Sequence, residues 1–187
     1  MRNTLCTNLR NAFSIIEVMI GVFIFSLWLV AIYALLISSL NLSEYNKNAI
    51  IASQLAVEQV EIIRNARDTN YKTIAAWDNL PWGWRLSEGY YRVENNLENW
   101  QIKIEEIPNF VEWSGELVNM ENYRLCLTPE NIYTYDCSWA QDTYFYRYLH
   151  IQSIGENKLQ LSSKAIWYSR WYHEFDIQTI ITDWRRL

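Results

Sequence analysis

Histidine and glycine are scarce in this 187-residue chain, which contains two histidines and five glycines. His150 and His173 have no carboxylate or cysteine at ligand spacing, so the sequence shows no zinc or other metal signature. The few glycines form no phosphate-binding loop, and neither a nucleophile elbow nor a paired catalytic motif occurs. We therefore predict no catalytic residue, no metal and no cofactor, and we interpret both histidines as strand residues.

Basic residues are fewer than acidic ones, with 16 lysines and arginines against 21 aspartates and glutamates, so the formal net charge is -5. Arg2 and Arg10 contribute +2 within the first twelve residues, which contain no acid, so the rest of the chain carries a net charge of -7. An acidic protein of this kind is a poor match for phosphate groups. The composition therefore argues against nucleic acid as a partner.

Charge is absent from residues 18–40, a run of 23 residues. As a helix this run would be about 34 Å long, enough to cross roughly 30 Å of hydrocarbon. A secretory signal peptide has a shorter apolar core of about 7 to 15 residues and a small-residue cleavage site after it. Arg2 and Arg10 precede the run, and the positive-inside rule therefore predicts a single-pass protein with a cytoplasmic N-terminus.

Glu17 is the only charged residue within residues 13–40. A charged side chain deep in a bilayer costs at least about 2.5 to 3.5 kcal/mol, and such residues usually have a partner. One interpretation is that the side chain of Glu17 reaches back to the cytoplasmic interface. The other is that a neighbouring chain supplies the partner.

A recognisable motif opens this apolar run: Asn11-Ala12-Phe13-Ser14-Ile15-Ile16-Glu17-Val18. It resembles the cleavage and methylation signal of type IV prepilins. The resemblance implies that a prepilin peptidase cleaves between Ala12 and Phe13 and methylates the new N-terminus, so that Phe13 becomes the first residue and Glu17 the fifth. In that family the residue before the cut is usually glycine, and here it is Ala12.

The resemblance also implies partners and a location. Other pilin or pseudopilin subunits and an inner-membrane assembly platform would be the partners, and the protein would move from the inner membrane into a pilus or pseudopilus. In such a filament the carboxylate of Glu17 would be satisfied by the terminal ammonium of Phe13 in a neighbouring subunit. Gly21 is the only helix breaker in the anchor, which favours a minor pilin or pseudopilin over a major pilin.

Several alternatives remain open on the sequence. The filament that contains this subunit could be an adhesion or motility pilus, a DNA-uptake pilus or a secretion pseudopilus. A different class of protein is an uncleaved, membrane-anchored extracytoplasmic domain that binds a glycan or another surface ligand.

The domain organisation follows from the composition. We predict a leader peptide over residues 1–12, a transmembrane and polymerisation helix over 13–40, an extramembrane half of that helix over 41–72, and a strand-rich globular domain over 73–187. Apolar residues recur at helical spacing in the second segment, although Gln59 interrupts the stripe. Residues 62–71 resemble the helix exit of one branch of minor pilin-like proteins, and the alternative interpretation is an ordinary polar helix terminus.

Alternating apolar and polar residues predict six strands beyond the helix, over residues 90–94, 100–107, 123–127, 144–154, 159–169 and 173–184. Gly155, Glu156 and Asn157 form a plausible hairpin turn, and the last three strands read as an antiparallel meander. The predicted fold is α+β and pilin-like: a long N-terminal hydrophobic helix packed on a C-terminal antiparallel sheet.

Cys126 and Cys137 share the half of the chain predicted to be exported, whereas Cys6 precedes the apolar run. A pair of cysteines in an exported domain predicts a disulfide, which would stabilise the fold by about 3 kcal/mol. The alternative is two buried free thiols. In pilins with a comparable C-terminal disulfide loop that region is exposed on the filament, which implies a contact surface at residues 127–136.

Aromatic residues are abundant, with ten tryptophans and thirteen tyrosines. Residues 167–172 form an aromatic cluster that could stack on sugars or single-stranded nucleic acid, with Trp167, Arg170 and Trp171 as the ligand surface. The alternative is a single strand through the cluster, with Trp167 and Trp171 on one face and Arg170 on the other, so that some rings only fill the core.

Overall fold

The computed structural model describes residues 14–72, 86–95, 102–107, 110, 120–155 and 157–183. Its one α-helix in this part of the chain, α1 (Ile15–Lys72), opens the fold. Two compact units are present, Met1–Glu44 and Tyr45–Leu187, and α1 contributes residues to both.

The first part of α1 is apolar on every side. The helix begins after Ser14, whose carbonyl oxygen accepts hydrogen bonds from the amides of Glu17 (3.0 Å) and Val18 (3.3 Å). The large apolar side chains from Ile15 to Leu42 are exposed in the isolated chain. By length and composition this helix is able to cross a membrane.

The second part of α1 is amphipathic and packs on the sheet. Its buried apolar side chains recur on one face of the helix: Ala52, Leu55, Ala56, Val60, Ile62, Ile63 and Ala66. The prediction that the helix continues past the apolar run and packs on a sheet is confirmed.

The helix ends at Lys72, which is also the last residue of the predicted extramembrane half. Residues 64–70 are helical and form the last turns of α1. Ile63 packs in an apolar cluster with strand residues and Ala66 is buried, which stabilises these turns. Arg64 donates from Nη2 to Oγ1 of Thr179 (3.1 Å), so a polar residue that looked like part of a helix terminus instead bridges helix and sheet.

Seven strands lie in the part of the chain that the structure describes, and all of them pair antiparallel. They are β1 (Gly89–Asn95), β2 (Ile102–Glu106), β3 (Arg124–Leu127), β4 (Tyr133–Thr134), β5 (Gln141–Gly155), β6 (Lys158–Ser169) and β7 (Trp171–Thr182), with a 3-10 helix at Met120–Tyr123 before β3.

Strand β5 is the centre of the sheet. One of its edges pairs with β6 from Phe145 to Gly155, and β6 in turn pairs with β7. The other edge is shared, because β3 pairs with it between Gln141 and Tyr146 whereas β1 pairs with residues 149–151. β2 lies outside β1, and β4 lies outside β3.

The predicted α+β fold is confirmed, and each of the six predicted strands corresponds to an observed one. The meander of β5, β6 and β7 is also confirmed. Trp100, Glu156 and Trp184, which the sequence placed in two strands and a turn, lie outside the described residues. β4 was not predicted, because two residues are too few to show an alternating pattern.

The aromatic cluster at residues 167–172 is a hairpin and not one strand. β6 ends at Ser169, Arg170 takes a left-handed backbone conformation with φ 61°, and β7 begins at Trp171. Tyr168 and Tyr172 face each other across this turn, with their ring centroids 5.0 Å apart. The interpretation that a single strand runs through the cluster is therefore wrong.

Both faces of the sheet are partly covered. The face toward α1 carries two apolar clusters, centred on Ile63 with Leu161 and on Ala56 with Trp167. The opposite face carries an aromatic cluster in which Tyr123 and Tyr148 are buried. Burial on both faces explains why β5 is apolar at successive positions near its centre and does not alternate strictly.

Candidate functional site

The N-terminal segment brings Glu17 to the first turn of α1. A carboxylate at this position interacts favourably with the positive end of the helix dipole. The side chain is exposed, and it makes no ion pair with any residue that the structure describes. Ala12 and Phe13, the predicted processing residues, lie outside the described part of the chain.

This same segment matches a known family model. Residues 7–33 match the prokaryotic N-terminal methylation motif, which spans the predicted cut, Glu17 and most of the predicted transmembrane segment. The chain carries the signature of type IV pilins and pseudopilins. The motif implies processing by a prepilin peptidase and assembly with other pilins. No curated protein and no solved structure matches the chain.

Outside the methylation motif, the most unusual feature of this pilin-like chain is a fully buried arginine. Arg147 lies in β5 on the face toward α1, with no exposed surface. Its Nη1 donates to the carbonyl oxygen of Leu55 (3.1 Å) and to the carboxylate of Glu58 (2.8 Å), and its Nη2 donates to the carbonyl oxygen of Val93 (3.0 Å). One side chain therefore ties α1, β1 and β5 together.

Tyr135 extends this network to the helix and to β6. Its hydroxyl donates to the carbonyl oxygen of Arg147 (2.9 Å) and accepts from Nε2 of Gln59 (3.0 Å). Oε1 of Gln59 then accepts from the hydroxyl of Ser163 (2.7 Å). The signal in the sequence was Gln59 itself, since a polar residue in a buried apolar stripe needs hydrogen-bond partners.

The protonation states in this network follow from burial and charge. Burial raises the pKa of Tyr135, and the nearby Arg147 offsets only part of this effect. Burial alone would lower the pKa of Arg147, but Tyr135 and Glu58 outweigh it and hold that pKa above its ordinary value. Near neutral pH, Arg147 is therefore a cation and the hydroxyl of Tyr135 keeps its proton.

The predicted disulfide between Cys126 and Cys137 is present, with the two Cα atoms 5.4 Å apart. It closes a loop that leaves β3, turns at Asn131 with φ 63°, and returns through β4 to Tyr135. Asp142 lies close to both sulfurs, but sulfurs joined in a disulfide offer no thiolate to a metal ion.

Trp167, Arg170 and Trp171 do not share one surface. Trp167 is 2% exposed and lies in the core, with its ring 5.2 Å from that of His173. Trp171 is 76% exposed at the start of β7, and Arg170 occupies the hairpin turn. Trp167 is therefore a core residue and cannot belong to a ligand surface at this hairpin.

The two histidines are strand residues, as predicted. His150 lies in β5 and stacks on Tyr90 with ring centroids 4.4 Å apart. His173 lies in β7 and packs against Trp167 and the edge of Tyr45. Both side chains are part of the aromatic packing of the fold.

Proposed function

We propose that this chain is a minor type IV pilin or pseudopilin, a structural subunit and not an enzyme. The observation that carries the proposal is the methylation motif at residues 7–33 running into an apolar helix that is able to cross a membrane. A prepilin peptidase would cut between Ala12 and Phe13 on the cytoplasmic side and methylate Phe13.

Assembly would then depend on Glu17. After cleavage, the new ammonium group of Phe13 in one subunit would neutralise the carboxylate of Glu17 in the next, which removes the cost of an unpaired charge among apolar helices. The exposed apolar side chains of α1 from Ile15 to Leu42 would supply the lateral contacts. Gly21 is the only glycine in this segment, and that favours a minor subunit.

The location proposed is the inner membrane first and a pilus or pseudopilus afterwards. Arg2 and Arg10 favour a cytoplasmic N-terminus. The Cys126–Cys137 disulfide supports an oxidising compartment for the folded domain. The inner-membrane assembly platform would be a further partner.

Mass spectrometry of the N-terminus tests the proposal. The mature protein is expected to begin with N-methylated Phe13 when the chain is expressed with a prepilin peptidase, and to retain residues 1–12 when the peptidase is absent. Retention of residues 1–12 both with and without the peptidase would contradict the proposal. It would favour the other reading of the sequence, a permanently anchored domain that binds a ligand outside the cell.

A further inference from the structure

A cleft opens in the sheet where β1 separates from β5. β1 pairs with β5 only from Gly89 to Tyr91, and then continues with β2 as far as Asn95. β3 and β4 occupy the same edge of β5 farther along. The β1–β2 pair and the β3–β4 pair are therefore separated at their ends, and a cleft of about 610 Å³ lies between them.

The walls of this cleft are held by hydrogen bonds and by the disulfide. The carboxylate of Glu94, whose side chain is 12% exposed, accepts hydrogen bonds from the hydroxyl of Thr134 (3.0 Å) and the amide of Tyr135 (3.0 Å). Thr128 closes the opposite turn, because its amide donates to the carbonyl oxygen of Ile132 (2.9 Å). A site with fixed walls loses little conformational entropy when it binds a ligand.

The lining combines negative charge with one exposed indole. Glu94, Glu130 and Asp136 contribute three carboxylates. Lys103 is the only cation among the described lining residues, and its amine pairs both with Glu105 (3.1 Å) and with Glu94 (3.8 Å), so Glu130 and Asp136 supply the negative charge that Lys103 does not offset. Trp139 lines the same cleft and is 87% exposed, the largest exposed fraction among the big apolar side chains in the described part of the chain.

We propose that this cleft binds a lysine or arginine side chain presented by a basic segment of a partner protein. The carboxylates attract the cation, and the face of the Trp139 indole stabilises it by a cation–π interaction. The excess of negative charge disfavours an anionic ligand. This proposal does not depend on whether the chain is cleaved at Ala12.

Fluorescence anisotropy of a dye-labelled peptide tests the proposal. The full-length protein, in a non-ionic detergent, is titrated with an end-blocked Gly-Arg-Gly-Arg-Gly peptide and with the same peptide carrying neutral citrulline in place of arginine. The arginine peptide should bind at least about tenfold more tightly, and sodium chloride should weaken its binding, because the attraction is electrostatic.

Two tryptophan variants locate the site. Trp139→Leu should weaken binding of the arginine peptide about two- to fivefold, because a cation over an exposed indole contributes about this much. Trp171→Leu is the matched control, since it removes another exposed tryptophan from the β6–β7 hairpin, and it should leave the affinity unchanged. Both side chains are mostly exposed, so neither change should prevent folding, and near-ultraviolet circular dichroism checks this.

Equal binding of the arginine and citrulline peptides would overturn the proposal. The absence of detectable binding at millimolar protein, or equal effects of Trp139→Leu and Trp171→Leu, would also overturn it. A parallel titration uses maltohexaose as a neutral probe. If maltohexaose binds in a Trp139-dependent manner and the arginine peptide does not, the cleft is a sugar site and our assignment is wrong.

Discussion

Replacing Arg147 with methionine should destabilise the folded domain, because this guanidinium joins three elements from a fully buried position. Methionine is flexible, apolar and of similar length, so it can fill the space without supplying a donor. The acceptors affected are the carbonyl oxygens of Leu55 and Val93, the carboxylate of Glu58 and the hydroxyl oxygen of Tyr135, which accepts from Nε of Arg147 (3.3 Å) and keeps its second donor, Gln59.

These acceptors contribute unequally. The carbonyl of Leu55 lies inside α1, where it retains the hydrogen bond of the helix. Val93 is fully buried, and leaving its carbonyl oxygen without a donor costs about 1 to 3 kcal/mol. The carboxylate of Glu58 is 43% exposed, so water replaces the lost partner and the ion pair contributes about 1 kcal/mol at most.

Removing the buried charge also removes its desolvation cost, and this gain limits the total loss of stability. We therefore expect Arg147→Met to lower the free energy of unfolding by about 2 to 4 kcal/mol. Urea unfolding of the full-length oxidised protein in detergent, followed by near-ultraviolet circular dichroism, measures this change. The signal reports the aromatic packing of the domain that Arg147 supports.

Arg64→Met is the matched control. Arg64 also links α1 to the sheet, through Thr179, but its side chain is 41% exposed and its ion pair with Glu61 lies at the surface. Its loss should cost less than about 1 kcal/mol. If Arg147→Met costs no more than Arg64→Met, the buried network does not hold helix and sheet together as we infer.

Four further predictions concern other parts of the chain. Replacing both Cys126 and Cys137 by serine should lower the free energy of unfolding by about 2 to 4 kcal/mol without changing N-terminal processing; alkylation of both thiols in the folded wild-type protein would show that the bond is absent. Burial, followed by the charge of Tyr146, raises the pKa of Tyr123 from 10.0 to about 12. The folded state therefore binds this proton more tightly than the unfolded state, and stability should fall as the pH rises from 10.0 to about 12. Tyr123→Phe should remove part of that fall in urea midpoints, and an unchanged fall would contradict the assignment. Glu17→Ala should insert into the membrane normally but be depleted from sheared filaments, and normal recovery would refute the proposed pairing with Phe13. Ala12→Asp should leave the precursor uncleaved while Ala12→Gly is processed, and a mature chain beginning at Phe13 in Ala12→Asp would show that the site or the protease is wrong.

The sequence by itself determined the features that depend on neighbouring residues. The motif around Phe13 and Glu17 is contiguous, so it can be read without a fold. The apolar run is continuous, the amphipathic second part of α1 has the period of a helix, and the long strands show the alternation of a strand except near the centre of β5. The pair Cys126 and Cys137 was found because both residues follow the apolar run and are close in sequence.

Only the tertiary structure decided what distant residues do to one another. Gln59 looked like a defect in an apolar stripe, but its partners Tyr135 and Ser163 lie 76 and 104 residues away. The role of Arg147 could not be inferred from the pattern of its own strand, because most of the acceptors of its hydrogen bonds lie in α1 and β1, far away along the chain. The cleft beside Trp139 exists because β1 and β3 share one edge of β5, and such an arrangement depends on long-range strand pairing that no local pattern encodes.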